Sequence, residues 1–228
     1  MKIRIRFNKT GAMKFVGHLD LLRYFQKAFR RSGFQMLYSK GFNPHQAMSF
    51  AAPLAIGYTS EAEYVDIGLE DELSEEEGIA RLNANMADGI QITGWKTLED
   101  NSKNAMSIVH AARYVVTLRE SFGLNKDLFE TVHNFISQDE ILIMKKTKSS
   151  EKETDIKSSI FEIKVLSENS LELVLATGSV LNLKPELVME AISKYLDIEY
   201  KENTYAIHRI DIYVNDNDEL VSLYDTNL

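Results

Sequence analysis

The feature that most constrains the fold is an order of segments that occurs twice along the chain. It opens with KIRIRF, where Ile3, Ile5 and Phe7 fall on one face of a strand and Lys2, Arg4 and Arg6 on the other. Residues 18–31 place Leu19, Leu22, Phe25, Gln26 and Phe29 at helical spacing, with Gly33 positioned to end the helix. FQMLYS is a strand candidate, and EAEYVDIGL alternates through Val65, Ile67 and Leu69. Ser74 and the three glutamates after it start a second helix, since acidic residues favour a helix N-terminus, and GIQITGWKTL closes the series as a strand.

Residues 100–107, DNSKNAMS, read as a linker, and then the order returns. AARYVVTLR is a strand, and KDLFETVHNFIS is a helix with Leu128, Val132, Phe135 and Ile136 inward. EILIMKKTK, SIFEIKVL and SLELVLATG are strands parted by the loops KSSEKETD and SENS. Pro185 opens a helix with Leu187, Val188, Ala191, Ile192 and Tyr195 on one face, and AIHRIDIYV is the last strand before a dozen residues that look frayed. This order is the split βαβ, or ferredoxin-like, pattern. It predicts an α+β chain of two tandem ferredoxin-like domains with antiparallel sheets, at 1–102 and 108–228, helices covering one face of each sheet and leaving the other open.

Charge divides the same way. The first fifty residues hold ten lysines and arginines against Asp20 alone, a balance of +9, which leaves −17 for the rest of a chain whose total is −8. A basic face on an acidic body points to a polyanionic partner for the first domain. Arg23, Lys27 and Arg31 recur at i, i+4 and i+8, so they share one helix stripe. The predicted phosphate contacts are Arg4 and Arg6 on the open sheet face, Arg23, Lys27, Arg30 and Arg31 on the helix, and Lys40 beyond it. With no cysteine, disulfides, thiolate nucleophiles, cysteine-bound zinc and iron–sulfur clusters are excluded in this chain. No apolar run approaches a membrane span and the start lacks a signal peptide's apolar block, so the cytoplasm is the expected location.

His110, His133 and His208 sit in or beside periodic segments and read as structural. His18, at the mouth of the first helix, and His45, in YSKGFNPH, belong to the basic segment instead. His18, Asp20 and His45 include the ligand types of a non-haem iron site, but H-x-D here opens a helix, so no metal is expected. Acid–base cleavage of RNA by His18 and His45 is a second reading. Binding without chemistry, with aromatics stacking on bases and arginines holding phosphates, is the third.

The run from Gly17 to Asp66 resembles a bacterial radical-SAM-associated family of unknown function. The resemblance rests on Gly17-His18-Leu19-Asp20, Arg30-Arg31-x-Gly33, Tyr38-Ser39-x-Gly41-Phe42-Asn43-Pro44-His45, Ser49-Phe50 and Ser60-Glu61-x-Glu63-x-x-Asp66. It departs at Gln46 and Ala47, where that pattern has a proline and often a basic residue. The resemblance implies an accessory partner of a radical SAM protein, which would carry the iron–sulfur cluster and S-adenosylmethionine while this chain carries no cofactor. It also implies a motif pocket of His18, Asp20, Tyr38, Phe42, Asn43 and His45. The expected function is RNA recognition in transfer or ribosomal RNA modification or maturation. The alternatives are a metal-independent endoribonuclease using His18 and His45, and a docking module for the radical SAM protein. In architecture the tandem pattern is also similar to guide-RNA processing endoribonucleases, with Ala176-Thr177-Gly178-Ser179 as a faint counterpart of their glycine-rich loop.

Overall fold

A computed structural model describes residues 1–119, 128–146, 151–199, 204–226 and 228. Within them the protein is α+β, with a nine-stranded sheet and a separate two-stranded hairpin. It divides into two compact units, Met1–His110 with Arg209–Leu228, and Ala111–His208. The C-terminal segment, expected with the second half, therefore groups with the first unit.

In the first unit β1 (Lys2–Lys9) lies between β3 (Thr59–Gly68) and β4 (Ile90–Leu98), antiparallel to both, and the short β2 (Met48–Phe50) pairs with β3. Ile3, Ile5 and Phe7 meet Leu21, Phe25, Ala28 and Phe29 of α1 (His18–Arg31) in a core that also holds Leu82 of α2 (Glu75–Asn83) and Trp95. Ser74 caps α2 as its sequence predicts, its hydroxyl accepting from the Glu77 amide at 3.2 Å. Gly78 is required there, because a Cβ at that position would stand 2.6 Å from the Trp95 ring.

The other face of this sheet is covered, against expectation. β10 (Tyr205–Asp216) turns at Asn217 and Asp218, whose φ values of 51° and 67° are both left-handed, and returns as β11 (Glu219–Ser222). The residues that follow are docked: Leu223 is fully buried and Thr226 is 3% exposed. Lys96 Nζ donates to the carbonyls of Tyr224 and Thr226, each at 3.0 Å. Tyr224 lies on Gly94, where a Cβ would be 2.6 Å from its ring. The expected linker is docked too. Asn104 caps the short α3 (Ala105–Ile108), and the Ala105 amide donates to Asp66 at 2.8 Å.

In the second unit β5 (Ala111–Leu118) and β8 (Ile160–Ser167) flank β9 (Ser170–Ala176), antiparallel to it. α4 (Leu128–Ile136) buries Val132 and Phe135, and α5 (Pro185–Tyr195) begins on its proline and buries Val188, Ala191 and Ile192. β6 (Leu142–Lys146) and β7 (Glu151–Asp155) form the separate hairpin, so the end of the predicted loop KSSEKETD is a strand. The predicted helix start at 126–127, the side chain of Leu128 and the loop residues 148–150 lie outside the described residues. Within the first unit the strand order is β4-β1-β3, with β2 on β3 and β11 on β10, and within the second it is β5-β9-β8. Among the described residues no helix is long and apolar enough to cross a membrane.

Candidate nucleic-acid interface

The two faces of α1 build the interface. Leu21, Phe25, Ala28 and Phe29 go down onto the sheet, a seam that runs through the small Ala28. Leu19, predicted inward, is 66% exposed, and Leu22 and Gln26 are half-buried. The outer face carries Arg23, Lys27, Arg30 and Arg31, all exposed as predicted. Arg23 meets Asp20 at 3.2 Å with both side chains mostly in water, a pair worth little. Arg31 donates to the Asn85 carbonyl at 2.9 Å, while Lys27 and Arg30 have no ion pair among the described residues. Arg30 and Arg31 also suit the negative end of the helix dipole.

Gly33, at φ +69°, ends α1 in the left-handed conformation that a side chain disfavours. Arg81 holds this turn by donating to the carbonyls of Ser32 at 2.7 Å and Gly33 at 2.8 Å. The chain then bridges Met36 to Leu69 and enters a narrow hairpin, closed by a bridge between Tyr38 and Gln46. Inside it the Ser39 amide donates to the His45 carbonyl at 2.8 Å, and the His45 amide donates to the Ser39 hydroxyl at 3.1 Å. His45 Nδ1 lies 2.9 Å from that same hydroxyl. Gly41, at φ +132°, shapes the apex. The apex holds Lys40, Phe42 and Asn43 in solvent; Tyr38 is 56% exposed and Phe42 wholly so.

The motif residues therefore lie in two places. Tyr38, Phe42, Asn43 and His45 are on the exposed hairpin. His18 is half-buried at the start of α1 with its ring edge-on to Phe50, 5.5 Å between centroids, at the margin of the aromatic cluster of Phe7, Phe25 and Phe50. Asp20 is exposed beside Arg23. Among the described residues no hydrogen bond or ring contact joins His18 to His45, and no group of three or more His, Asp or Glu is placed to hold a metal ion. His110 and His133 are exposed and His208 is half-buried. Thr177 of the predicted ATGS loop is buried, its hydroxyl donating to the Leu175 carbonyl at 3.3 Å.

Arg4 and Arg6 need correction as phosphate contacts. Arg4 is fully buried, its Nε and Nη2 donating to Asp66 at 2.8 and 3.1 Å and its Nη1 to the Leu223 carbonyl at 3.2 Å. Asp66 is its direct cross-strand partner, so register alone aligns the opposite charges. Arg6 is half-buried opposite Tyr64 and Gly94, and its Nε is shut from water without a hydrogen-bond partner. The physical reason is the docked C-terminal segment, which occupies the face that the split βαβ pattern leaves open.

A buried charge cluster went unpredicted. Lys9, Glu63 and Arg209 are each 4% exposed or less. Arg209 Nη1 donates to Glu63 at 3.3 Å, Arg209 Nη2 to the Pro53 carbonyl at 3.2 Å, and Lys9 Nζ to the Val16 carbonyl at 2.7 Å. Burial pushes the Glu63 carboxyl above its ordinary range, with Arg209, Ser60 and Lys9 opposing. Burial likewise pulls the Lys9 ammonium down, with Glu63 opposing. The cluster ties the segments before α1 and β3 to the sheet. A signal existed in the sequence: Lys9 continues the inward series Ile3, Ile5, Phe7, and Glu63 precedes Val65 and Ile67 in theirs.

With that geometry in place, a family model described as "Uncharacterized protein conserved in bacteria (DUF2344)" matches residues 2–185. The chain belongs to DUF2344. The DUF2344 match takes in the charged face of α1, the aromatic hairpin and the strands bearing Arg4, Lys9, Glu63 and Asp66, and it stops before Arg209 and the C-terminal cover. No curated protein matches the sequence. Among solved structures, a chain from "Crystal Structure of a Cbf5-Nop10-Gar1 Complex" is similar at a TM-score of 0.48 and 10% identity, over 94% of this chain and 50% of that one. This chain thus spans half the length of that one.

Proposed function

We propose that this DUF2344 protein recognises RNA as the partner of a radical SAM enzyme that modifies or matures a transfer or ribosomal RNA. The observation that carries the RNA reading is the exposed ridge of Arg23, Lys27, Arg30 and Arg31 on a helix anchored through its other face. Within it Lys27 and Arg30 are committed to no acidic side chain among the described residues. Cations fixed along a rigid element meet backbone phosphates without reorganising, and Lys40 extends the positive surface onto the hairpin. The radical SAM partnership rests on the motif resemblance from Gly17 to Asp66, the partner supplying the cluster and S-adenosylmethionine. On the same footing, the two strand–helix series are read as split βαβ modules, the first with β1 between β3 and β4 and β2 on β3.

The test is affinity for RNA at two salt concentrations. Phosphate contact through four cations predicts log affinity falling with log salt at a slope of about −3 on single strands. Affinity indifferent to salt sinks the reading. The partnership is checked separately by nuclease-resistant co-purification with a radical SAM protein.

A further inference from the structure

We infer that the ridge and the hairpin together select single-stranded over duplex RNA, because Phe42 and Tyr38 are presented as a stacking platform for unpaired bases. This deepens the RNA reading above and rests on it. Phe42 is wholly exposed and Tyr38 is 56% exposed, although the aromatic core of the same unit has taken in Phe7, Phe25, Phe29, Phe34 and Phe50. Exposed aromatic surface of this size is unfavourable in water and gains nothing for the fold.

The hairpin is also built to hold its apex. Backbone hydrogen bonds join Ser39 to His45 and Leu37 to Ala47, the Ser39 hydroxyl takes the His45 amide, and Leu37 and Ala47 close over Gly68, where a Cβ would lie 3.1 Å from Leu37. Phe42 stands three residues from each member of the Ser39 and His45 pair, so the closed base limits how far the backbone that carries it can move when a ligand arrives. The face of an aromatic ring accepts any base, but only a base that is out of a duplex presents a free π-face. Lys40, two residues from Phe42, supplies a cation where the backbone of a stacked nucleotide must pass. No carboxylate lies between Tyr38 and Gln46 to repel it.

The experiment measures fluorescence anisotropy with a labelled, unstructured RNA strand of about twelve nucleotides and the same strand annealed to its complement, at low salt. Wild-type protein is expected to prefer the strand by about tenfold or more, and Phe42→Ala to lose most of that preference while its affinity for the duplex stays within about twofold. Phe42→Trp adds a spectroscopic readout, since the chain's one native tryptophan, Trp95, is buried. Its emission should be quenched by the strand and not by the duplex. Equal affinity for strand and duplex, with Phe42→Ala changing neither, overturns the inference and leaves phosphate binding by α1 standing. Absence of binding to both probes overturns the RNA reading as well.

Discussion

Arg4 and Arg30 carry the same guanidinium, twenty-six residues apart, to opposite ends of the protein's electrostatics. Arg4 is enclosed by the Asp66 carboxylate, the Leu223 carbonyl and the Lys103 carbonyl, and its charge is spent on holding the C-terminal segment and the Ala105 turn to the sheet. Arg30 stands in water on α1 with no ion pair among the described residues. A basic stretch in a sequence is therefore no measure of a basic surface. Whether a cation faces a partner depends on what the rest of the chain lays over it.

The contrast can be broken by mutation. Arg4→Ala should have the largest effect, leaving the Asp66 charge buried and unpaired, and should lower the urea-derived unfolding free energy by about 3–5 kcal/mol. RNA affinity measured on the fraction that remains folded should keep its salt slope. Leu223→Ala should follow, at about 2–5 kcal/mol for a side chain fully buried in the C-terminal cover. A thermal midpoint unchanged by this substitution would mean that the cover is not held by packing.

On the exposed side the order of effects reverses. Lys27→Glu should leave stability within about 0.5 kcal/mol of wild type. It should nevertheless weaken RNA binding and flatten its salt slope by about 1 or more, which titrations at several salt concentrations would detect. The smallest change is expected in the second unit, at Asp155. Its Oδ1 accepts from the amides of Ile141 and Lys157, each at 2.9 Å, and these bonds hold its pKa below the ordinary carboxylate value. A depressed folded-state pKa means stability that is present above the unfolded value and lost as pH falls through the folded one. Asp155→Asn should accordingly be slightly less stable at neutral pH, with the gap to wild type closing in acid, as read from denaturant midpoints across that range.

Much of the local structure was legible because it follows from neighbours in sequence. Ser74 with its glutamates, Gly33 after α1 and Pro185 at the head of α5 each act within one helical turn of themselves. The exposed stripe of α1 was legible for the same reason, since spacing puts Arg23, Lys27 and Arg31 on one side wherever the helix sits. The phase of its buried side was not, because the choice between Leu19 and Ala28 is made by the sheet beneath. The Asn217–Asp218 turn was there to be read as a hairpin signal, yet the burial of Leu223 could not follow from it.

The sequence by itself determined an α+β chain, the positions of α1, α2 and α5, the cation stripe of α1 and the turn around Gly41. Tertiary structure alone decided that Arg4 and Arg6 lie beneath a docked C-terminal segment, that Lys9, Glu63 and Arg209 meet in the interior, and that His18 and His45 lie in separate surroundings. The physical reason is range. Periodicity and capping act over a few residues, whereas Leu223 reaches Arg4 across 219 positions and Arg209 reaches Glu63 across 146. Contacts of that kind are fixed only when strands choose their register and the chain closes over them.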